Sequence, residues 1–196
     1  MQKMTKKLKL TMFISAIILV SVMATAIGLT AARWDSQGGS AEYGPVVDTI
    51  DWNSWAKYFE YDTSLASGCA VTGYTGTNLG DVIFPEHGAL NKTVKIIYNT
   101  VFQDPTKKEL PVVIYISGTI ETIEAMAFSN LPNLEKVVFA ADGVAINVGA
   151  YAFAGCPNLK EVVLGANVTY DPTAFKGCYN LTTVGSLTAE QVNALK

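Results

Sequence analysis

The sequence predicts a repeat solenoid, a stack of short parallel strands joined by turns and closed by small caps, and two observations carry that prediction. The first is a block that recurs: Ala-Phe pairs stand at Ala127-Phe128, Ala152-Phe153 and Ala174-Phe175, 25 and then 22 residues apart. The second is that the surrounding residues move in the same steps. Leu134, Leu159 and Leu181 follow each Phe by six residues, Asn133, Asn158 and Asn180 precede those leucines, and Val137, Val162 and Val184 lie three residues beyond them. Leu131, Cys156 and Cys178 share one position behind the Phe. A period of roughly 20 to 50 residues marks stacked supersecondary units, none of which can bury its apolar face alone.

The chain opens differently. Residues 1–33 read as a membrane-targeting segment, because Lys3, Lys6, Lys7 and Lys9 precede a run from Leu10 to Ala32 that carries no charge until Arg33. Such a basic start stays on the cytoplasmic side of the membrane. Two forms are open. Ala24-Thr25-Ala26 offers the small residues that a signal peptidase prefers, with Leu10 to Met23 as the apolar core. Alternatively the run of 23 residues, at about 1.5 Å each, is long enough to remain across a hydrocarbon layer of about 30 Å as a transmembrane anchor. In both forms the remainder is exported to the cell surface or the medium, and a retained anchor leaves the N-terminus cytoplasmic. Residues 34–47, rich in Gly and Ser from Ser36 to Gly44, read as a flexible linker.

Residues 48–68 are expected to form an N-terminal cap. From Asp48 to Glu60 the apolar residues Ile50, Trp52, Trp55, Tyr58 and Phe59 recur at roughly helical spacing, which predicts a short amphipathic helix with Asp48 or Asp51 near its start. The Trp-rich stripe reads as the buried face of that cap, with a carbohydrate platform as the alternative. Residues 69–185 then make the solenoid. Cys69 to Asn78 is dense in Gly, Thr and Asn and reads as turn and strand-edge material. Asp81 to Pro85, Val94 to Ile97 and Val112 to Ile116 are β-branched runs too short for helices and read as strands. Residues 186–196 close the stack: Thr188-Ala-Glu-Gln191 has capping-box spacing ahead of Val192 and Leu195, so a short helix is expected over Ala189 to Leu195.

Within the array, Leu159-Lys-Glu-Val162-Val-Leu164-Gly-Ala-Asn167 fits the leucine-rich-repeat template, and Leu134, Val137, Phe139 and Asp142 give the same frame one unit earlier. The fold class is therefore a repeat solenoid of leucine-rich-repeat type. Ser117, Asp142 and Asn167, spaced by 25 residues, occupy the template's polar position. Side chains there are expected to hydrogen-bond the turn backbone that stacking would otherwise bury unsatisfied. The core is expected to hold Phe102, Phe128, Phe153, Phe175, Leu134, Leu159, Leu181, Val137, Val162, Val184, Cys156 and Cys178.

The words Ala152-Phe153-Ala-Gly-Cys156-Pro-Asn-Leu159-Lys-Glu-Val162 and Ala174-Phe175-Lys-Gly-Cys178-Tyr-Asn-Leu181-Thr-Thr-Val184 resemble the BspA-like leucine-rich-repeat family. Val148-Gly149 and Ile123-Glu124, five residues before a Phe, resemble its I-G step. The front end, from Val71 through Val82-Ile-Phe-Pro85 to Phe102, resembles a divergent first unit, so the likeness runs from about Ala70 to Val184. It implies an exported surface protein, in a family whose members include adhesion proteins. Three departures stand out: Leu131 replaces a Cys, Asp171-Pro172 is expected to break the last approach strand, and only about four or five units are read.

Composition excludes several functions. A net charge of −3 and a pI near 5.1 oppose nucleic-acid binding, which needs a concentrated basic face. Three cysteines, an odd number without a CxxC pair, give neither a disulfide framework nor structural zinc. Cys156 and Cys178 read as small core residues whose parallel setting in adjacent coils disfavours a bridge, which leaves Cys69 as the candidate for a free or intermolecular thiol. His87 is the one histidine and lies in a Pro-Glu-His-Gly turn. No hydrolase elbow, HExxH or P-loop occurs, and Asp81, Asp104, Asp142 and Asp171 do not form a calcium loop. No catalytic residue, metal or cofactor is expected.

What remains is display. Glu135, Lys136, Lys160, Glu161, Thr182 and Thr183 fall between inward Leu and Val positions and should form a polar strip on the exposed strand face. That strip is the expected contact for a protein or glycan partner, against the plainer reading of a solvated face on a passive envelope spacer. Asn91-Lys-Thr93, Asn167-Val-Thr169 and Asn180-Leu-Thr182 are glycosylation acceptors in a eukaryotic source, though the last two coincide with repeat positions.

Overall fold

A computed structural model of the chain describes residues 50–77 and 79–196. The targeting segment and linker, residues 1–47, lie outside the described residues, as do residues 48 and 49. From residue 52 onward the chain is a two-sheet solenoid. One sheet holds β1 (Phe59–Asp62), β2 (Cys69–Tyr74), β4 (Val94–Ile97), β6 (Thr122–Ile123), β8 (Ile146–Val148) and β10 (Val168–Tyr170) in that order. The second holds β3 (Gly80–Phe84), β5 (Pro111–Ile116), β7 (Lys136–Phe139), β9 (Glu161–Val163) and β11 (Thr183–Val184). From β2 on, the chain alternates between sheets at each strand, and each new strand pairs in parallel with the one a full coil earlier.

Register places like on like. Val82, Ile114, Val137, Val162 and Val184 form one inward row on the second sheet, and Val71, Ile97, Ile123 and Val148 form the facing row on the first. All nine are buried in one core cluster. The Phe-bearing turn links the sheets: Phe102, Phe128, Phe153 and Phe175 lie in that cluster, together with Leu134, Leu159, Leu181, Cys156 and Cys178. Phe128 and Phe153 stack at 5.0 Å and Phe153 and Phe175 at 5.5 Å, with interplanar angles of 19° and 10°. Near-parallel rings are what one rotamer repeated at one coil of offset produces.

The turn depends on special backbone. Asn130, Gly155 and Gly177, each two residues after a Phe, have φ of 58°, 69° and 81°. Glycine reaches that left-handed region without cost and asparagine more cheaply than most residues. Gly149 meets a different demand, since a Cβ there would lie 2.7 Å from the Ala125 backbone nitrogen.

Side chains tie successive coils at the corners. Asn133, Asn158 and Asn180 donate Nδ2 to the carbonyls of Glu109, Pro132 and Pro157 at 2.8, 2.7 and 2.7 Å. Cys156 and Cys178 donate their thiols to the carbonyls of Phe128 and Phe153. At the opposite corner Ser117, fully buried, donates to the Pro85 carbonyl, and Asn167 donates to that of Gly143. Asp142 departs from the expected pattern. It is exposed and its side chain makes no such bond among the described residues.

Three expectations are corrected. The helix over 48–60 is instead a short 3-10 segment, Trp52–Tyr58, followed at once by β1, which pairs antiparallel with β2. Phe59 begins that strand and is buried, whereas Trp55 and Tyr58 are only half-buried against the core. Hydrogen-bonding the open edge of the first sheet satisfies backbone groups that a helix laid across the stack would leave unpaired. Asp171-Pro172 does not break the last approach strand: β10 ends at Tyr170, and the Asp171 amide still donates to the Val148 carbonyl at 2.9 Å. Cys69 is a free thiol but is not exposed for an intermolecular bond: it begins β2, is fully buried, and donates to the Lys92 carbonyl.

At the far end, α1 (Ala189–Ala194) starts on a reciprocal capping box between Thr188 and Gln191 and buries Val192. Among the described residues no helix is long and apolar enough to cross a membrane.

Candidate functional site

The second sheet presents an outer face of five parallel strands. Alternation along each strand turns Val82, Ile114, Val137, Val162 and Val184 inward, so their neighbours point away from the core. Register then aligns Asp81, Val113, Lys136, Glu161 and Thr183 in one outward row, and Ile83, Tyr115, Val138 and Val163 in the next. The first row is polar from β7 onward. The second is apolar, and Ile83, Tyr115 and Val138 are themselves buried.

All six strip residues fall beside one another at the start of β7, β9 and β11. Their charges are not independent. Lys136 Nζ lies 2.8 Å from Glu161 Oε2, and Lys160 Nζ lies 3.1 Å from Glu135 Oε2, each bridge joining adjacent coils. Thr182 uses its hydroxyl to donate to the Lys160 carbonyl at 3.0 Å, while Thr183 stays exposed without a side-chain bond among the described residues. The four charges form a two-by-two checkerboard: Glu135 and Lys136 on one coil, Lys160 and Glu161 on the next. With side-chain exposures of 26–57 %, the bridges stabilise little, on the order of 0–1 kcal/mol each. What they fix is the position of the charges.

Burial, followed by the nearby Asp81 carboxylate, pushes the Tyr115 phenol up to about 12, so it stays neutral at ordinary pH. The backbone N–H of His87 donates to Asn53 Oδ1, while its imidazole meets no hydrogen-bond partner among the described residues. Cys156 is held protonated by its contact with Cys178 and then by burial. Cys178, which receives that contact, is drawn the other way, yet no cation or imidazole contributes to either thiol. Both are fully buried. Among the described residues no three His, Cys, Asp or Glu side chains gather as metal ligands. Of the three glycosylation acceptors, Asn167 and Asn180 have their amides committed to the ladder bonds above, whereas Asn91 lies exposed at the end of a short 3-10 segment, Ala89–Asn91.

The paired checkerboard was not part of the sequence reading, although its signal is present. Lys136 and Glu161, and likewise Glu135 and Lys160, are opposite charges spaced by one 25-residue coil. A spacing of 26 residues separates Lys95 and Glu121, which are bridged at 2.7 Å between adjacent coils.

Comparison with known proteins places this architecture. A family model described as a BspA type leucine-rich repeat region of six copies matches residues 74–190. Among solved structures, a leucine-rich cell surface protein from Faecalibacterium prausnitzii is 23% identical over 65% of this chain and 41% of its own, with a TM-score of 0.47. A leucine-rich-repeat protein of T. pallidum is 18% identical over 67% of this chain and 81% of its own, with a TM-score of 0.41. This chain therefore spans about two fifths of the length of the Faecalibacterium protein. The curated proteins contain no match. With its matched segment covering more than half of the sequence, the chain belongs to the BspA-type leucine-rich-repeat family.

Proposed function

We propose that this chain is a non-catalytic binding module displayed outside the cytoplasm, and that the outer face of the second sheet recognises a protein or glycan partner. The observation that carries the proposal is the in-register placement of Lys136, Glu161 and Thr183 on consecutive strands, each preceded by a polar residue (Glu135, Lys160 and Thr182) whose backbone N–H donates to the coil before it. A fixed array loses little conformational freedom on binding, which favours affinity from a small face. Export through residues 1–33, as a cleaved signal or a retained anchor, agrees with the basic and then apolar opening of the sequence. The similar structure from Faecalibacterium prausnitzii is described as a leucine rich cell surface protein.

A second reading, a passive spacer of the envelope, draws support from the bridges themselves, because the strip's charges already satisfy one another. The two readings diverge under charge reversal. The full-length chain, in mild detergent, is tested for binding to a glycan array and to isolated envelope proteins, alone and as Lys136→Glu and Lys160→Glu. A binding face loses its ligand by about tenfold or more in at least one variant. Equal binding by all three proteins, or none by the wild type, supports the spacer instead.

A further inference from the structure

Resting on the reading of this face as a recognition surface, we propose that one of its partners is a second copy of the chain, paired face to face through the charge checkerboard. The pattern has a particular symmetry. Glu135 and Lys136 sit side by side on one coil, and Lys160 and Glu161 sit directly beside them on the next, at aligned register. A two-fold axis in the plane of the face and parallel to the strands brings Glu135 of one copy over Lys160 of the other, and Lys136 over Glu161. An in-plane axis perpendicular to the strands brings Glu135 over Lys136, and Lys160 over Glu161. Both operations set every charge against its opposite, so the patch is complementary to itself, as an isologous interface requires.

The same pattern disfavours other partners. The patch carries two positive and two negative charges, so a polyanion or a basic surface gains nothing overall from approaching it. A complementary surface must present alternating signs at strand spacing, about 4.8 Å, and this face on another molecule does so. The flanks do not oppose contact: Thr182 and Thr183 on one side and Val113 on the other carry no charge. In the pair, each internal bridge becomes part of a four-charge network, which widens the gap between matched and mismatched partners.

The test inverts the pattern without breaking it. In the quadruple variant Glu135→Lys, Lys136→Glu, Lys160→Glu, Glu161→Lys, both internal bridges survive with their ends exchanged, and circular dichroism checks the fold. Full-length chains in mild detergent are followed by sedimentation over a concentration series. Tagged inverted chain is then mixed with untagged wild type and recovered on the tag. Wild type and inverted chain should each dimerise, the mixture should yield no mixed dimer, and Lys160→Glu alone should weaken dimerisation by about tenfold or more. Every variant keeps residues 1–49, so association through that segment would be indifferent to the substitutions. A monomeric wild type at all concentrations, a dimer that ignores Lys160→Glu, or ready mixing of the two forms overturns the proposal. A monomer that nonetheless loses a glycan or envelope protein on charge reversal sinks only the self-pairing and leaves the binding-module reading intact.

Discussion

Phe153 lies fully buried between Phe128 and Phe175, in ring contact with both. Burying one such side chain stabilises by roughly 1.5 to 3 kcal/mol, and removing it also leaves a cavity that neighbouring coils fill poorly. Phe153→Ala should therefore cost about 3 to 5 kcal/mol, seen as a lower denaturation midpoint; an unchanged curve would contradict the stacked core. Gly149→Ala tests the opposite fault, excess volume, because the added Cβ meets backbone at 2.7 Å rather than a movable side chain. The expected loss is about 1 to 3 kcal/mol, and wild-type stability would show that the coils are not so closely apposed. Much at this scale was readable in the sequence. The Phe, Leu, Val and Cys rows repeat in type, and repetition at one period leaves a shared interior as the economical explanation. Asn130, Gly155 and Gly177 also carried a signal, two residues after each Phe, although the left-handed turn that explains them appears only in coordinates. The burial of the free thiol Cys69 comes from pairing with β4, more than twenty residues away, and no repeat partner marks it in the sequence.

At the scale of elements, local chemistry and long-range pairing were unequally visible. The closing helix α1 followed from a four-residue capping pattern. The approach strands were harder, since β6 has two residues and β8 and β10 three each, too few for alternation to show. That brevity hides the first sheet from a reading of the sequence. Two turns share one device: Asp104 accepts from the amide and hydroxyl of Thr106, and Asp171 from those of Thr173. The hydroxyl and then the amide hold each carboxyl below the usual aspartate range. A carboxyl depressed in the folded state contributes stability above its unfolded value, and that contribution disappears as pH falls through the folded one. Thermal stability should thus decline on acidification below the ordinary aspartate range, and the Asp104→Asn, Asp171→Asn double variant should show a shallower decline. Profiles of equal slope would remove these turns from the acid response.

Taken whole, the molecule is a nearly one-dimensional object in which each coil is stabilised by its neighbours. Its ties run from coil to coil: the ring stack, the Asn133, Asn158 and Asn180 ladder, and the bridges on the strand face. Such a stack should lose both sheets together, because the approach strands have no independent core. Hydrogen exchange followed by mass spectrometry tests this most directly, comparing peptides over β6 and β8 with peptides over β7 and β9. If the coils share one interior, both sets are protected and lose protection at the same denaturant concentration. Exchange over β6 and β8 as fast as in the isolated peptides, with β7 and β9 still protected, would mean that the first sheet is not part of a closed coil.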